Sequence, residues 1–160
     1  MTAGGARVAV VVGILRQADG AVLLTSRPDA KPYAGFWEFP GGKVEPQEQP
    51  ERALQRELLE EIGVRVMRCC FAWTVSHDYP HAHVDLHFYW VDAWQGDPRP
   101  LESQQLLWVR ASEAWPYPVL PATVPLLPQI REGARRPTAG DPSLEVAEGQ
   151  LKRDVLLDGL

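Results

Sequence analysis

Between Gly42 and Val64 the chain runs Gly42, five residues, Glu48, seven residues, Arg56-Glu57-Leu58, one residue, Glu60-Glu61, one residue, Gly63-Val64. Residues three and four apart share a helix face, so on a helix Glu57, Glu60 and Glu61 stand together and repel one another by a few tenths of a kcal/mol, roughly, per pair. The helix is well marked. Pro50 suits a first helical position, where its missing N–H would be unpaired anyway. Glu51 follows in the first turn, at the positive end of the helix dipole. Leu54, Leu58 and Ile62 recur every four residues as a buried seam, and Gly63 sits where a left-handed cap belongs. The acidic face lies beside that seam, so the carboxylates border the core as the wall of a cleft.

Packed like charges of this kind form either a solvated stripe or a cation site, and the surroundings favour the cation. Hard divalent cations such as Mg²⁺ take oxygen ligands and commonly also contact substrate phosphates. Upstream, Pro40-Gly41-Gly42-Lys43 reads as a glycine turn that brings backbone close to a ligand, followed by a lysine. Arg56 precedes Glu60 by four residues and is placed to orient it.

At 160 residues the chain is long enough for one domain with a real core. A net charge of −5 with no basic tract argues against a nucleic-acid polymer as partner. The apolar run Val8–Leu15 lacks the flanks of a signal peptide, and no stretch approaches transmembrane length, so no membrane partner is expected. Cys69 and Cys70 are neighbours in an expected strand and point to opposite faces. Free thiols in a reducing cytoplasm are the reading.

Val8–Leu15 is β-branched and reads as a central strand. Asp19-Gly20 marks a hairpin, with residues 21–26 returning. Residues 27–35 form a loop and 36–39 a short extended piece. Residues 65–76 make a long strand, 77–81 a turn containing Pro80, and 84–94 a strand in which Val84, Leu86, Phe88 and Trp90 alternate with their neighbours. Residues 106–109 are a strand and 121–130 a second helix. Strands and helices that do not strictly alternate give an α+β fold.

With those residues in view, the segment resembles the Nudix box at Gly42, Glu48, Arg56, Glu57, Leu58, Glu60, Glu61, Gly63 and Val64. Arg27, the run Trp37-Glu38-Phe39-Pro40-Gly41-Gly42-Lys43, Tyr79-Pro80, Glu102-Ser103-Gln104 and Leu120-Pro121-Ala122 resemble the MutT branch of that superfamily. The resemblance runs from about Arg7 to Ile130 and implies an α/β/α sandwich with a mixed sheet. It places a Nudix domain at 1–131 and a C-terminal tail at 132–160. It implies Mg²⁺-dependent hydrolysis of a purine nucleoside triphosphate such as 8-oxo-dGTP to monophosphate and pyrophosphate, in the sense of nucleotide-pool sanitation and DNA repair, with Mn²⁺ as a substitute. The partner would be a small nucleotide and the enzyme a monomer.

Carried over residue by residue, Glu57, Glu60 and Glu61 become metal ligands with the Gly41 carbonyl and Glu102. Glu57 is the preferred general base, with Arg56 and Glu48 orienting. Arg27 and Lys43 would meet phosphates; Glu38, Phe39, Pro40, Tyr79 and Thr123 would meet the base and its surroundings. Two positions depart from the branch, because Thr123 stands where an asparagine is expected and Ala82 where an arginine is expected. Another nucleotide or a sugar nucleotide is the alternative substrate, and a non-catalytic nucleotide sensor the alternative role.

His77, His81, His83 and His87 cluster, with His83, Asp85 and His87 on one strand face; the plainer reading is a polar face rather than a transition-metal site. Trp73, Trp90 and Trp108 read as core, while Trp37 and Trp115 border either a base pocket or the core. The tail opens on Gly133, Pro137, Gly140 and Pro142 as an irregular connector, and residues 144–160 carry Leu151, Val155 and Leu156 at the spacing of a weak amphipathic helix.

Overall fold

A computed structural model describes residues 7–80 and 82–135. In chain order these form β1 (Val8–Leu15), β2 (Val22–Ser26), β3 (Trp37–Glu38), β4 (Gly41–Lys43), α1 (Pro50–Ile62), β5 (Arg65–Tyr79), β6 (Ala82–Gln95), β7 (Leu106–Val109), a 3₁₀ turn (Val124–Leu126) and α2 (Leu127–Ala134). Among the described residues the strands make a four-stranded sheet in the order β4-β1-β6-β5 and a three-stranded sheet β3-β2-β7. β1 runs parallel to β6 and antiparallel to β4, so the larger sheet is mixed, as expected.

Alternation along β1 divides the core. Val11 and Leu15, with Tyr89 and Val91 of β6, pack against Leu54, Leu58 and Ile62 of α1. Val12 and Ile14, with Phe88 and Trp90, pack against Phe39, Leu126 and Ile130 on the α2 side. Cys69 lies in the first cluster and Cys70 packs beside the second, both as free thiols. α1 starts at Pro50 without a side-chain cap and ends on Gly63 at φ 72°, whose N–H bonds to the Leu59 carbonyl at 3.1 Å. That left-handed cap turns the chain straight into β5.

Three sequence expectations need correction. The glycine turn is a strand: Gly41 pairs with Val12 and Lys43 with Val10, because β1 offers an unpaired edge there. The turn expected at residues 77–81 gives way to strand, since β5 stays paired with β6 as far as Tyr79 opposite Ala82. Polar side chains hold that extension: Ser76 Oγ donates to Asp85 at 2.6 Å, and Arg7 reaches Asp85 at 2.8 Å and Asp78 at 3.1 Å. His83 pairs with Asp78 at 2.8 Å and His87 with Thr74 at 2.9 Å, so the histidines are a polar strand face; His81 lies outside the described residues.

The second helix also starts later than expected. Pro125 and Pro128 offer no N–H, so residues 121–123 turn, a 3₁₀ segment follows, and α2 begins only at Leu127. It then continues through Gly133, past the expected boundary at 131. The reason is tertiary. Arg16, 4% exposed, forms a bidentate pair with Asp92 at 2.8 and 2.9 Å, and its Nη1 donates to the Gly133 carbonyl at 2.7 Å. A Cβ at residue 133 would meet the Trp90 ring, which the Arg16 guanidinium also covers at 4.2 Å. The helix expected within 144–160 lies outside the described residues.

Candidate active site

A cleft of about 640 Å³ opens beside β4. Its floor is Val8, Val10 and Val12 of β1 with Val84, Leu86 and Phe88 of β6, and its lining includes Glu57 and Glu61 of α1. α1 packs on the odd-numbered face of β1 whereas the floor is the even-numbered face, so the cleft wraps around the β4 edge. Small residues there allow it. A Cβ on Gly41 would run into the Val11 carbonyl, and one on Gly42 would run into the Glu57 carboxyl group. The wall at Gly42 is therefore moulded around Glu57.

Arg56 ties the carboxylate helix to the loop after β4. Its Nε and Nη2 donate to the two oxygens of Glu48 at 2.9 and 2.8 Å, Nη2 also reaches the Lys43 carbonyl at 2.9 Å, and Nη1 donates to Glu57 Oε1 at 2.8 Å. Glu60 lies farther, at 3.6 Å, with its side chain 57% exposed, so the carboxylate that Arg56 chiefly orients is Glu57 rather than Glu60. The same guanidinium, aided by the Glu45 N–H, holds the Glu48 carboxyl down at about 2.

Glu61 is buried and accepts the Gly41 N–H at 3.0 Å. Burial pushes its carboxyl up to about 8; the Gly41 N–H opposes this, while the charges of Glu38 and Glu102 add to it. The loop carrying Glu102 docks onto the C-terminus of α1. Arg99 N–H bonds to the Ile62 carbonyl at 2.9 Å and Leu101 N–H to the Glu61 carbonyl at 3.2 Å. Gln104, 5% exposed, donates from Nε2 to the Glu61 carbonyl at 2.9 Å and accepts the Glu102 N–H on Oε1 at 2.8 Å. Nothing local in the sequence signals that the Gln104 amide joins Glu102 to the helix.

At the other wall Arg27 donates to Glu38 at 2.9 Å and to the Pro32 carbonyl at 2.6 Å. Burial raises the Glu38 carboxyl, and the charge and hydrogen bond of Arg27 pull it back. Tyr79 accepts the Ala122 N–H at 3.2 Å, and its ring meets Tyr33 edge-on at 5.4 Å. Thr123 is 4% exposed and lines the cleft with Leu120 and Ala82.

Of the residues expected at the site, Arg27, Glu38, Phe39, Gly41, Lys43, Glu57, Glu61, Tyr79, Glu102 and Thr123 line this one cleft. Arg56, Glu60 and Pro40 do not; Pro40 accepts the Gly13 N–H at 2.8 Å and acts in the fold. Trp37 and Trp115 also stay out of it: Trp37 packs on the α2-side core, and Trp115 lies under Arg131 at 4.4 Å. Lys31, Tyr33 and the apolar floor join the cleft without being expected from the sequence; of these, the floor is foreshadowed by the alternation in Val8–Leu15.

Among the described residues no three Asp, Glu, His or Cys side chains converge as a ready-made metal cluster. Glu57 is turned onto Arg56 and Glu61 onto Gly41 N–H. The donors nonetheless fit a hard divalent cation. Each of those two carboxylates commits one oxygen in these bonds, Glu102 adds a third acid on the same cleft, and burial leaves the negative charge around Glu61 under-compensated.

Comparison with known proteins agrees with this geometry. A family model described as the NUDIX domain matches residues 11–129. The chain is 43% identical to an 8-oxo-dGTP diphosphatase of Proteus vulgaris over 88 residues, covering 55% of this chain and 79% of that one. It is 38% identical to a CTP pyrophosphohydrolase of Escherichia coli over 117 residues, covering 73% and 87%. The crystal structure of a MutT NUDIX hydrolase from Burkholderia pseudomallei superposes with a TM-score of 0.71 at 32% identity, covering 78% of this chain and 98% of that one. A cleft edged by the box glutamates, on a mixed sheet shared with such hydrolases, places this chain in the Nudix family.

Proposed function

We propose that this Nudix hydrolase cleaves nucleoside triphosphates to a nucleoside monophosphate and pyrophosphate, with Mg²⁺ as its cation and Mn²⁺ as a substitute. Members of this family generally use divalent metal ions, and its relatives act on small nucleotides. The observation that carries the reading is the meeting of Glu57, Glu61 and Glu102 with Lys43 on one cleft whose floor is apolar. A polyphosphate brings several negative charges, so cleavage needs positive charge on the phosphates and a base to take the proton of the attacking water.

Glu61 and Glu102 would hold the cation, with the Gly41 carbonyl beside them, while Glu60 stands outside the cleft on the exposed side of the helix. Bound there, it would supply the charge that offsets the phosphates and acidifies water. Glu57 is the base: Arg56 fixes one oxygen at 2.8 Å and leaves the other for a water proton. Water attacks phosphorus, the bridging P–O bond breaks, and pyrophosphate leaves. Glu38, Phe39, Tyr79 and Thr123 shape the space for the base.

8-oxo-dGTP is the preferred substrate, in keeping with the Proteus relative. A cytidine triphosphate is the second reading, favoured by the Escherichia coli relative and by the nearly buried hydroxyl of Thr123. A hydroxyl offers one donor where a purine-reading amide would offer paired donors and an acceptor. The test is pyrophosphate release and kcat/KM for 8-oxo-dGTP, dGTP and CTP, with Mg²⁺ and with chelator, for wild type, Glu57→Gln and Thr123→Asn. Glu57→Gln is expected to lose on the order of 10²-fold in kcat, and Thr123→Asn to widen the preference for oxidised guanine. Release from none of the three would overturn the activity.

A further inference from the structure

We propose that Lys31 joins Lys43 in contacting the phosphate chain of the substrate, with Arg27 folding the loop that presents Lys31. The inference rests on the polyphosphate reading of the cleft.

Arg27 is committed. Its Nε donates to the Pro32 carbonyl at 2.6 Å and its Nη1 to Glu38 at 2.9 Å, with the two ion-pair side chains only 18% and 20% exposed. Turning the guanidinium toward a phosphate would strand a mostly buried carboxylate. Breaking such a pair costs far more than the pair is worth against apolar packing. Arg27 closes the loop through its main chain as well: its N–H donates to the Phe36 carbonyl at 2.8 Å, and its carbonyl accepts the Gly35 N–H at 3.0 Å.

Lys31 is the opposite case. It is exposed, it lines the same cleft as Lys43 and Glu61, and its ammonium forms no close ion pair among the described residues. Its backbone is nevertheless fixed, because its N–H bonds to the Pro28 carbonyl at 3.1 Å and the next residue, Pro32, is held by Arg27. It lines the cleft together with both Glu38 and Glu61. A point charge on a flexible stem, rooted in a pinned loop at the rim, suits a chain of phosphates that must enter and leave. Arg27 is the only arginine that lines the cleft among the described residues.

Equilibrium binding of the two expected products, inorganic pyrophosphate and dGMP, by calorimetry in Mg²⁺ isolates this contact from turnover. Lys31→Ala is expected to weaken pyrophosphate binding about tenfold, the lower end of what one ammonium–phosphate contact near a protein surface is worth, and to leave dGMP within about twofold. Lys31→Arg should restore most of the loss, and KM for dGTP should rise more than kcat falls. Arg27→Lys should instead lower the melting temperature. Unchanged pyrophosphate binding in Lys31→Ala, or a loss that Lys31→Arg does not repair, would overturn the assignment. A protein that hydrolyses no triphosphate yet binds pyrophosphate through Lys31 would sink the proposed activity and leave this contact standing.

Discussion

Gln104→Leu separates the hold on Glu102 from the acid itself. In the folded protein the Gln104 amide sits almost wholly buried between the Glu61 carbonyl, at 2.9 Å, and the Glu102 N–H, at 2.8 Å. The leucine removes both bonds, with unequal consequences. The Glu61 carbonyl keeps the Leu101 N–H at 3.2 Å, so that side loses only the net value of one hydrogen bond, about 1 kcal/mol. The Glu102 N–H has no second acceptor in the described structure, and wherever water does not reach it the loss adds about 1–3 kcal/mol. If the loop lifts so that water reaches that N–H, the stability loss falls to about 1–2 kcal/mol, but Glu102 then leaves the cleft. Stability and turnover are thus linked: a drop of about 2 kcal/mol, or several degrees in Tm, together with reduced kcat at unchanged nucleotide affinity. Urea denaturation and steady-state kinetics over a Mg²⁺ titration measure both. Gln104→Glu keeps the acceptor for Glu102 and loses the donor, so it should retain more activity than the leucine. A leucine variant with wild-type stability and wild-type kcat would refute the reasoning.

Other expectations follow from single contacts. Gly42→Ala puts a methyl into the Glu57 carboxyl group; kcat is expected to fall on the order of 10²-fold, as for loss of the base itself, while circular dichroism stays native, and an active alanine variant would show that Glu57 can shift freely. Gly133→Ala drives a methyl into the Trp90 ring under Arg16, and overpacking of this kind should cost about 1–3 kcal/mol in urea denaturation without changing kcat. Burial pushes the Cys69 thiol up to about 12, with the Glu51 charge adding to it, and raises Cys70 as well. Both should therefore resist iodoacetamide at pH 8 in the native protein and react only in urea, as mass spectrometry would record.

Much of the site could be read along the chain because its parts are near in sequence. Pro50, the seam of Leu54, Leu58 and Ile62, and Gly63 specify α1 locally, and the helical repeat alone puts Glu57, Glu60 and Glu61 on one face. The alternation of β1 and the opposed burial of Cys69 and Cys70 follow from the strand repeat in the same way.

What the chain could not announce depends on partners far away in sequence. Gly41-Gly42 carries the same residues whether it turns or extends, and only the free edge of β1 makes it a strand. Proline placement delays α2, but its run to Ala134 depends on Arg16 and Trp90 lying beneath it. Which glutamates meet the cleft, Glu57 and Glu61 with Glu60 left outside, is set by how α1 packs over Gly13 and beside β4. Arg27 and Lys31 look like interchangeable cations in the sequence. Tertiary structure separates them, because Glu38 and the Pro32 carbonyl pin the guanidinium of one through two of its donors, while the ammonium of the other stands exposed at the cleft. Helical and strand repeats fix the direction of a side chain relative to its neighbours; only packing decides what it faces.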